Sequence, residues 1–183
     1  MAGGHLWRVL TVVLIGALAM TASAVAAPTA TLVKDINPGG ASSFPSGLRN
    51  FGGTAFFGAT DPGHGVELWK SDGSAAGTKL VKDINHGKGN STPGGLRGVA
   101  GTLFFRAADP THGRELWKSD GTRRGTRIVR NINRGNGSSR PGALTNVGGT
   151  LFFTASDPRR GRELWRSDGT RDGTRIVRDI NHG

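Results

Sequence analysis

The chain has 183 residues, with 24 Lys+Arg against 13 Asp+Glu for a net charge of +11, and 35% hydrophobic residues beside 31 glycines. It contains no cysteine, which excludes disulfide scaffolds, cysteine zinc sites and thiol catalysis together. Low hydrophobicity with so much glycine predicts many short strands joined by tight turns.

The first element is an address. Residues 1–26 read as a secretory signal peptide: Arg8 supplies the positive start, Val9 to Met20 the apolar stretch, and Thr21 to Ala27 a small-residue run with A-x-A cleavage sites. The apolar stretch is shorter than the about 20 residues needed to span a bilayer. A retained N-terminal anchor is the competing reading. After cleavage no membrane span is expected, and the predicted location is secreted or at the cell surface.

Residues 27–183 repeat one unit. Leu32-Val33-Lys34-Asp35-Ile36-Asn37 returns at Leu80, Ile128 and Ile176, always 48 residues on. Phe56-Phe57, Glu67-Leu68-Trp69 and Asp72-Gly73-Ser74 return with the same step. The repeats are 32–79, 80–127 and 128–175, followed by a closing strand at 176–181. A fixed period of this size signals stacked supersecondary units.

Four extended runs fit in one unit: Gly95 to Val99, Thr102 to Ala107, Arg114 to Ser119, and Thr126 to Ile132. Gly-Gly or Ala-Gly between the first two is a hairpin signal. Asp109-Pro110-Thr111-His112-Gly113 supplies the next turn, and Asp120-Gly121 opens the last. Leu103-Phe104-Phe105 points bulk to both faces, as in strands covered on both sides. Trp69, Trp117 and Trp165 add one large ring per unit to fill the gap between sheets. The expected fold is all-β, with four-stranded antiparallel repeats arranged as β-propeller-like blades. An open linear stack of small sheets is the alternative.

Glu115-Leu116-Trp117-Lys118-Ser119-Asp120-Gly121-Thr122, followed by Gly125-Thr126, closely resembles the ELWxxDGT repeat of secreted bacterial proteins. The resemblance covers residues 32–181. The first copy has Ser74 in place of Thr, and Asn131 replaces Asp in the third linker copy. The resemblance implies export and a propeller-like array, and no established reaction.

With a leading strand at Leu32 to Ile36, the count reaches thirteen strands and three complete blades. A closed propeller needs about four blades or more. Either the chain self-associates into a ring, or it is a segment of a longer array. The thirteenth strand has no role in a symmetric dimer, which favours the segment.

Catalysis needs unlike groups converging on one place. Twelve of the thirteen carboxylates instead fall in repeating columns, and only Asp172 stands outside. The expectation is a non-enzyme. Asp72, Asp120 and Asp168 are read as turn caps. Glu67, Glu115 and Glu163 are expected to meet either a basic neighbour or backbone amides between blades. Asp35-x-Asn37 and its copies offer oxygen atoms of the kind Ca²⁺ takes, but far fewer than the roughly six to eight it needs. No cofactor is therefore expected, with calcium the one exception kept open. His64 and His112 share a turn position held by Arg160 in the third unit, while His86 and His182 share a loop. All four are read as surface turn residues.

Basic charge alone departs from the repeat. Residues 32–79 carry four basic and four acidic side chains, whereas 80–127 and 128–175 each carry nine against four. Arg123, Arg124, Arg134, Arg140, Arg159, Arg160 and Arg162 form the candidate basic surface. On an exported protein such charge suits an acidic polymer, with drift on a solvated face as the plain alternative. No nucleic acid partner is expected. Three functions remain: a secreted binding or scaffold module for a polymer or protein partner, an inactive segment of a larger array, or a propeller glycan hydrolase or lyase. The binding module is preferred.

Overall fold

Two-residue connections reverse the chain where the dipeptides predict. Gly52-Gly53 lies at φ 58° and 77°, Gly148-Gly149 at 55° and 81°, and Ala100-Gly101 at 44° and 73°. Paired positive φ values give the turn whose twist matches a tight hairpin. In the computed structural model, which describes residues 29–180, every regular element is a strand. The reading of 1–26 as a signal peptide, Asn181 and His182 lie outside the described residues. Residues 29–31 carry no regular element; Leu32 onward forms one unit.

That unit is all-β and holds twelve strands: β1 (Ser46–Phe51), β2 (Thr54–Ala59), β3 (Glu67–Ser71), β4 (Lys79–Lys82), β5 (Gly94–Val99), β6 (Thr102–Asp109), β7 (Gly113–Ser119), β8 (Arg127–Arg130), β9 (Gly142–Val147), β10 (Thr150–Asp157), β11 (Gly161–Ser167) and β12 (Arg175–Arg178). They form three four-stranded antiparallel sheets in sequence order, β1–β4, β5–β8 and β9–β12. Each sheet straddles the border between two 48-residue copies. The sheets approach one another through their first strands, β1 beside β5 and β5 beside β9. Arg97 Nε donates to Leu144 O across the second of these gaps (3.0 Å).

The core lies between sheets. One cluster joins Phe56, Leu68, Val81 and Ile84 of the first sheet and its linker to Leu103, Phe105 and Trp117 of the second. The next repeats it one sheet later, with Phe104, Leu116, Val129 and Ile132 against Leu151, Phe153 and Trp165. Within β6, Leu103 and Phe105 therefore face one neighbour while Phe104 faces the other. The double-faced apolar run meant sheet on both sides, and Trp117 and Trp165 fill the gaps between sheets as expected, whereas Trp69 packs under Ile36 of the leading segment.

One expectation fails. Leu32 to Ile36 forms no strand, so the described residues hold twelve strands rather than thirteen. The copy at β4 is extended because β3 pairs with it, Leu68 opposite Lys82. Residues 32–36 have no such neighbour among the described residues, and a strand needs one. The segment still keeps its side-chain contacts. Ile36 packs with Phe57 and Trp69, and Lys34 Nζ donates to Thr78 O (2.8 Å). The fourth strand is also shorter than read, since Ile132 N–H turns away to a buried carboxylate.

Candidate functional site

The repeating columns hold the sheets together. Glu67 on β3 is fully buried and accepts from Ile84 N (2.9 Å), Asn85 N (3.1 Å), Ser91 N (3.1 Å) and Ser91 Oγ (2.6 Å), all in the linker to the next sheet. Glu115 does the same with Ile132, Asn133 and Ser139. Of the two partners considered for this column, backbone amides are the ones found. Burial pushes both carboxyls above the ordinary glutamate range, against the pull of the serine hydroxyl and three amides. Glu163 meets Ile180 N at 3.4 Å.

Asp72, Asp120 and Asp168 cap turns. Each accepts from the hydroxyl and the amide of Ser74, Thr122 or Thr170, bonds that hold the carboxyl below its usual value. Gly125 is required here, because a Cβ on it would overlap the Asp120 carboxylate. Gly121 and Gly169 take φ 86° and 87°, and their turns rest on Phe56 and Phe104 of the preceding sheet. Lys70 Nζ and Lys118 Nζ reach across to Gly121 O and Gly169 O (2.8 and 2.6 Å). The ELW and DGT residues are thus the ties of a blade junction. Trp165 Nε1 finds Ala155 O (3.2 Å), whereas the Trp69 and Trp117 nitrogens are buried without an acceptor.

His64 Nδ1 lies 2.8 Å from Asp61, His112 Nδ1 2.8 Å from Asp109, and Arg160 3.3 Å from Asp157. The same turn is stapled in each sheet. Asp83 accepts from Gly87 N, while Asn85 and Asn133 turn their amide nitrogens to Asn90 O and Ser138 O. No group of three or more His, Asp or Glu that could hold a metal gathers among the described residues. Asp172 is exposed in the β11–β12 turn.

The basic candidates separate into three places. Arg140 and Arg162 come together with Arg106, Arg114, Pro141 and Gly142 around a shallow recess of ≈ 350 Å³ between the second and third sheets. Arg134, Arg159 and Arg160 line a second recess of ≈ 200 Å³, which also contains Asp157. Arg124 lies at the opposite end of the sheets with Lys118, Arg127 and Asp120. Arg123 is exposed near Lys82, whose amine is depressed chiefly by burial and further by the Arg123 charge.

Only the first group is arginine-rich with no acid in its lining. Arg162 Nη2 donates to Thr154 Oγ1 (2.6 Å) and Nη1 to Arg140 O (3.1 Å). Arg114 Nη2 donates to Thr92 Oγ1 (2.6 Å). Arg106 lies against Gly94, where a Cβ would come 3.2 Å from its Nε. None of the four makes an ion pair among the described residues. Hydroxyl and carbonyl bonds thus hold two guanidinium forks in place and leave the charge unpaired, a suitable arrangement for carboxylate, sulfate or phosphate oxygens. One repeat earlier the places of Arg106, Arg114 and Arg140 belong to Gly58, Val66 and Thr92.

Arg106 and Arg114 stand singly in β6 and β7, outside the basic runs that mark Arg123-Arg124 and Arg159 to Arg162, and Arg162 itself lies inside β11 rather than in the expected loop. Aligning the repeats position by position, 58 with 106 and 66 with 114, would have found them.

The chain matches no protein-family model and no curated protein. Among solved structures it is similar to a Bifidobacterium bifidum s17 protein described as an exo-beta-1,3-galactanase, at 16% identity and a TM-score of 0.38. The likeness covers 73% of this chain and 51% of that one, so the chain spans about half the length of that protein.

Proposed function

We propose that this chain is a secreted, non-catalytic binding module of the ELWxxDGT repeat type that holds an anionic polymer outside the cell. The observation that carries the reading is the recess of Arg106, Arg114, Arg140 and Arg162, built where the repeat is broken and lacking any carboxylate. Arginine forks pair with planar or tetrahedral anions through two parallel hydrogen bonds, which a flexible lysine does not offer. A polymer presenting anions at intervals would bind this recess and run towards the Arg134 and Arg159 recess beside the same linker.

The test is calorimetric titration with polygalacturonate, dextran sulfate and polyphosphate at physiological salt. The expected result is binding to at least one of them, weakened tenfold or more by Arg114→Ala with Arg162→Ala. Arg123→Ala with Arg124→Ala, at the other end, should change affinity less than twofold. Equal losses from the two double variants would reduce the effect to net charge, and no binding would overturn the reading.

A further inference from the structure

Each internal junction joins two unlike faces. The trailing face of a sheet presents one phenylalanine (Phe56 or Phe104) among leucine, valine and isoleucine, and the leading face of the next presents leucine, phenylalanine and tryptophan. On the second sheet and its linker the trailing positions Val99, Val129 and Ile132 are buried by the third sheet. The matching positions of the third sheet, Val147, Val177 and Ile180, are 55%, 45% and 72% exposed. The first sheet shows the complementary gap. Leu48 is 66% exposed, while its counterparts Leu96 and Leu144 are buried under the preceding sheet.

We propose that the trailing face of the third sheet docks onto the leading face of the first sheet in a second copy of this chain. The occupant is identified by the molecule itself, because faces equivalent to these two meet twice within the chain, and on the first sheet Ile36 stands over Phe57 and Trp69 in place of a preceding sheet. Scattered exposed apolar residues need no explanation, but this set repeats an interior interface position for position. The polar ties have counterparts as well. Arg166 stands where Lys70 and Lys118 stand, and these lysines reach the DGT turn of the following sheet.

One element is duplicated in such a contact. Ile36 and Lys34 occupy on the leading face the place that Ile84 and Lys82, or Ile132 and Arg130, occupy at the internal junctions. Ile180 and Arg178 of the docking copy would claim the same place. Leu32 to Asn37 is the element that yields, because it has no strand pairing to lose. The contact is head-to-tail, so it closes into a ring or continues as a filament according to its rotation.

The two uncovered faces can be blocked separately. Light scattering on the full chain should give a mass that rises with concentration from one chain to two or more. Leu48→Glu and Val177→Glu should each give a monomer with an unchanged urea midpoint, both side chains being exposed. Mixing the two variants should restore a dimer and nothing larger, since each supplies the face the other lacks. A wild-type chain that stays monomeric, association that survives either substitution, or a mixture that stays monomeric would each overturn the proposal. The readout is mass alone, and is separate from polymer binding.

Discussion

The junction between the first two sheets and that between the last two share their ties and differ at their rims. In both, a buried glutamate gathers the linker, a lysine reaches the next DGT turn, and a tryptophan fills the gap. At the rim, the first junction has Gly58 beside Ser46, Val66 and Pro93, whereas the second has Arg106, Arg114 and Arg140. Positions that face another sheet are bound by volume and by unsatisfied amides. Rim positions run from buried Gly58 through half-buried Arg106 and Arg114 to exposed Arg140 and carry none of the clamp's bonds, so new chemistry can accumulate there while the ties of the stack are kept.

The largest effect should come from breaking the shared part. Glu115→Ala removes the acceptor of three amides and one hydroxyl, leaving buried donors unpaired. A loss of about 3–5 kcal/mol is expected, read from the urea midpoint. Glu163→Ala should cost nearer 1 kcal/mol, roughly the value of a single ordinary hydrogen bond. Equal losses would mean that the linker clamp is not what Glu115 contributes.

A second experiment transfers the rim. Gly58 has no positive φ, and a Cβ there meets its neighbours at ordinary contact, 3.4 Å or more. Gly58→Arg with Val66→Arg should therefore install a second recess beside Arg114. Titration with a short anionic oligomer is expected to move from one site to two. An unchanged stoichiometry would show that the arginines need more than their positions.

The smallest effect concerns the β2–β3 turn. The hydrogen bond to Asp61 raises the His64 pKa, burial opposing it. At Asp61, burial pushes upward but the bonds from the His64 ring and the turn amides prevail, and the carboxyl is lowered. A histidine raised in the folded state contributes stability that is complete below its unfolded value of about 6.5 and is lost as pH rises through the folded value. The pair is partly exposed, so less than about 1 kcal/mol is involved. His64→Arg, imitating Arg160 in the third sheet, should remove this loss between neutral and mildly alkaline pH. A pH–stability curve identical to that of the parent would exclude His64 as its source.

Much of the fold was legible because the spacing never slips. Gly52-Gly53 announced a hairpin, and Leu103-Phe104-Phe105 announced sheets on both sides. The thirteenth strand was misread because a β-sequence reports what a segment prefers, and pairing depends on a neighbour that Leu32 to Ile36 lacks here. The recess was half legible. Arg140 and Arg162 stood out as charge expected in loops, although Arg162 lies inside β11, while Arg106 and Arg114 are brought beside them by strand pairing that charge counting does not see.

The glutamate clamp also bears on how the chain acquires its structure. Its bonds join residues 17, 18 and 24 apart, and the side-chain ties between sheets join residues 41 to 51 apart. No hydrogen bond among the described residues spans more than 51 positions. All-β domains are usually slow to fold because their partners are distant in sequence. Here each sheet is complete before the next is needed, and its linker can be fastened as soon as it emerges. Folding can therefore proceed in the order of synthesis, each finished sheet serving as the template for its successor.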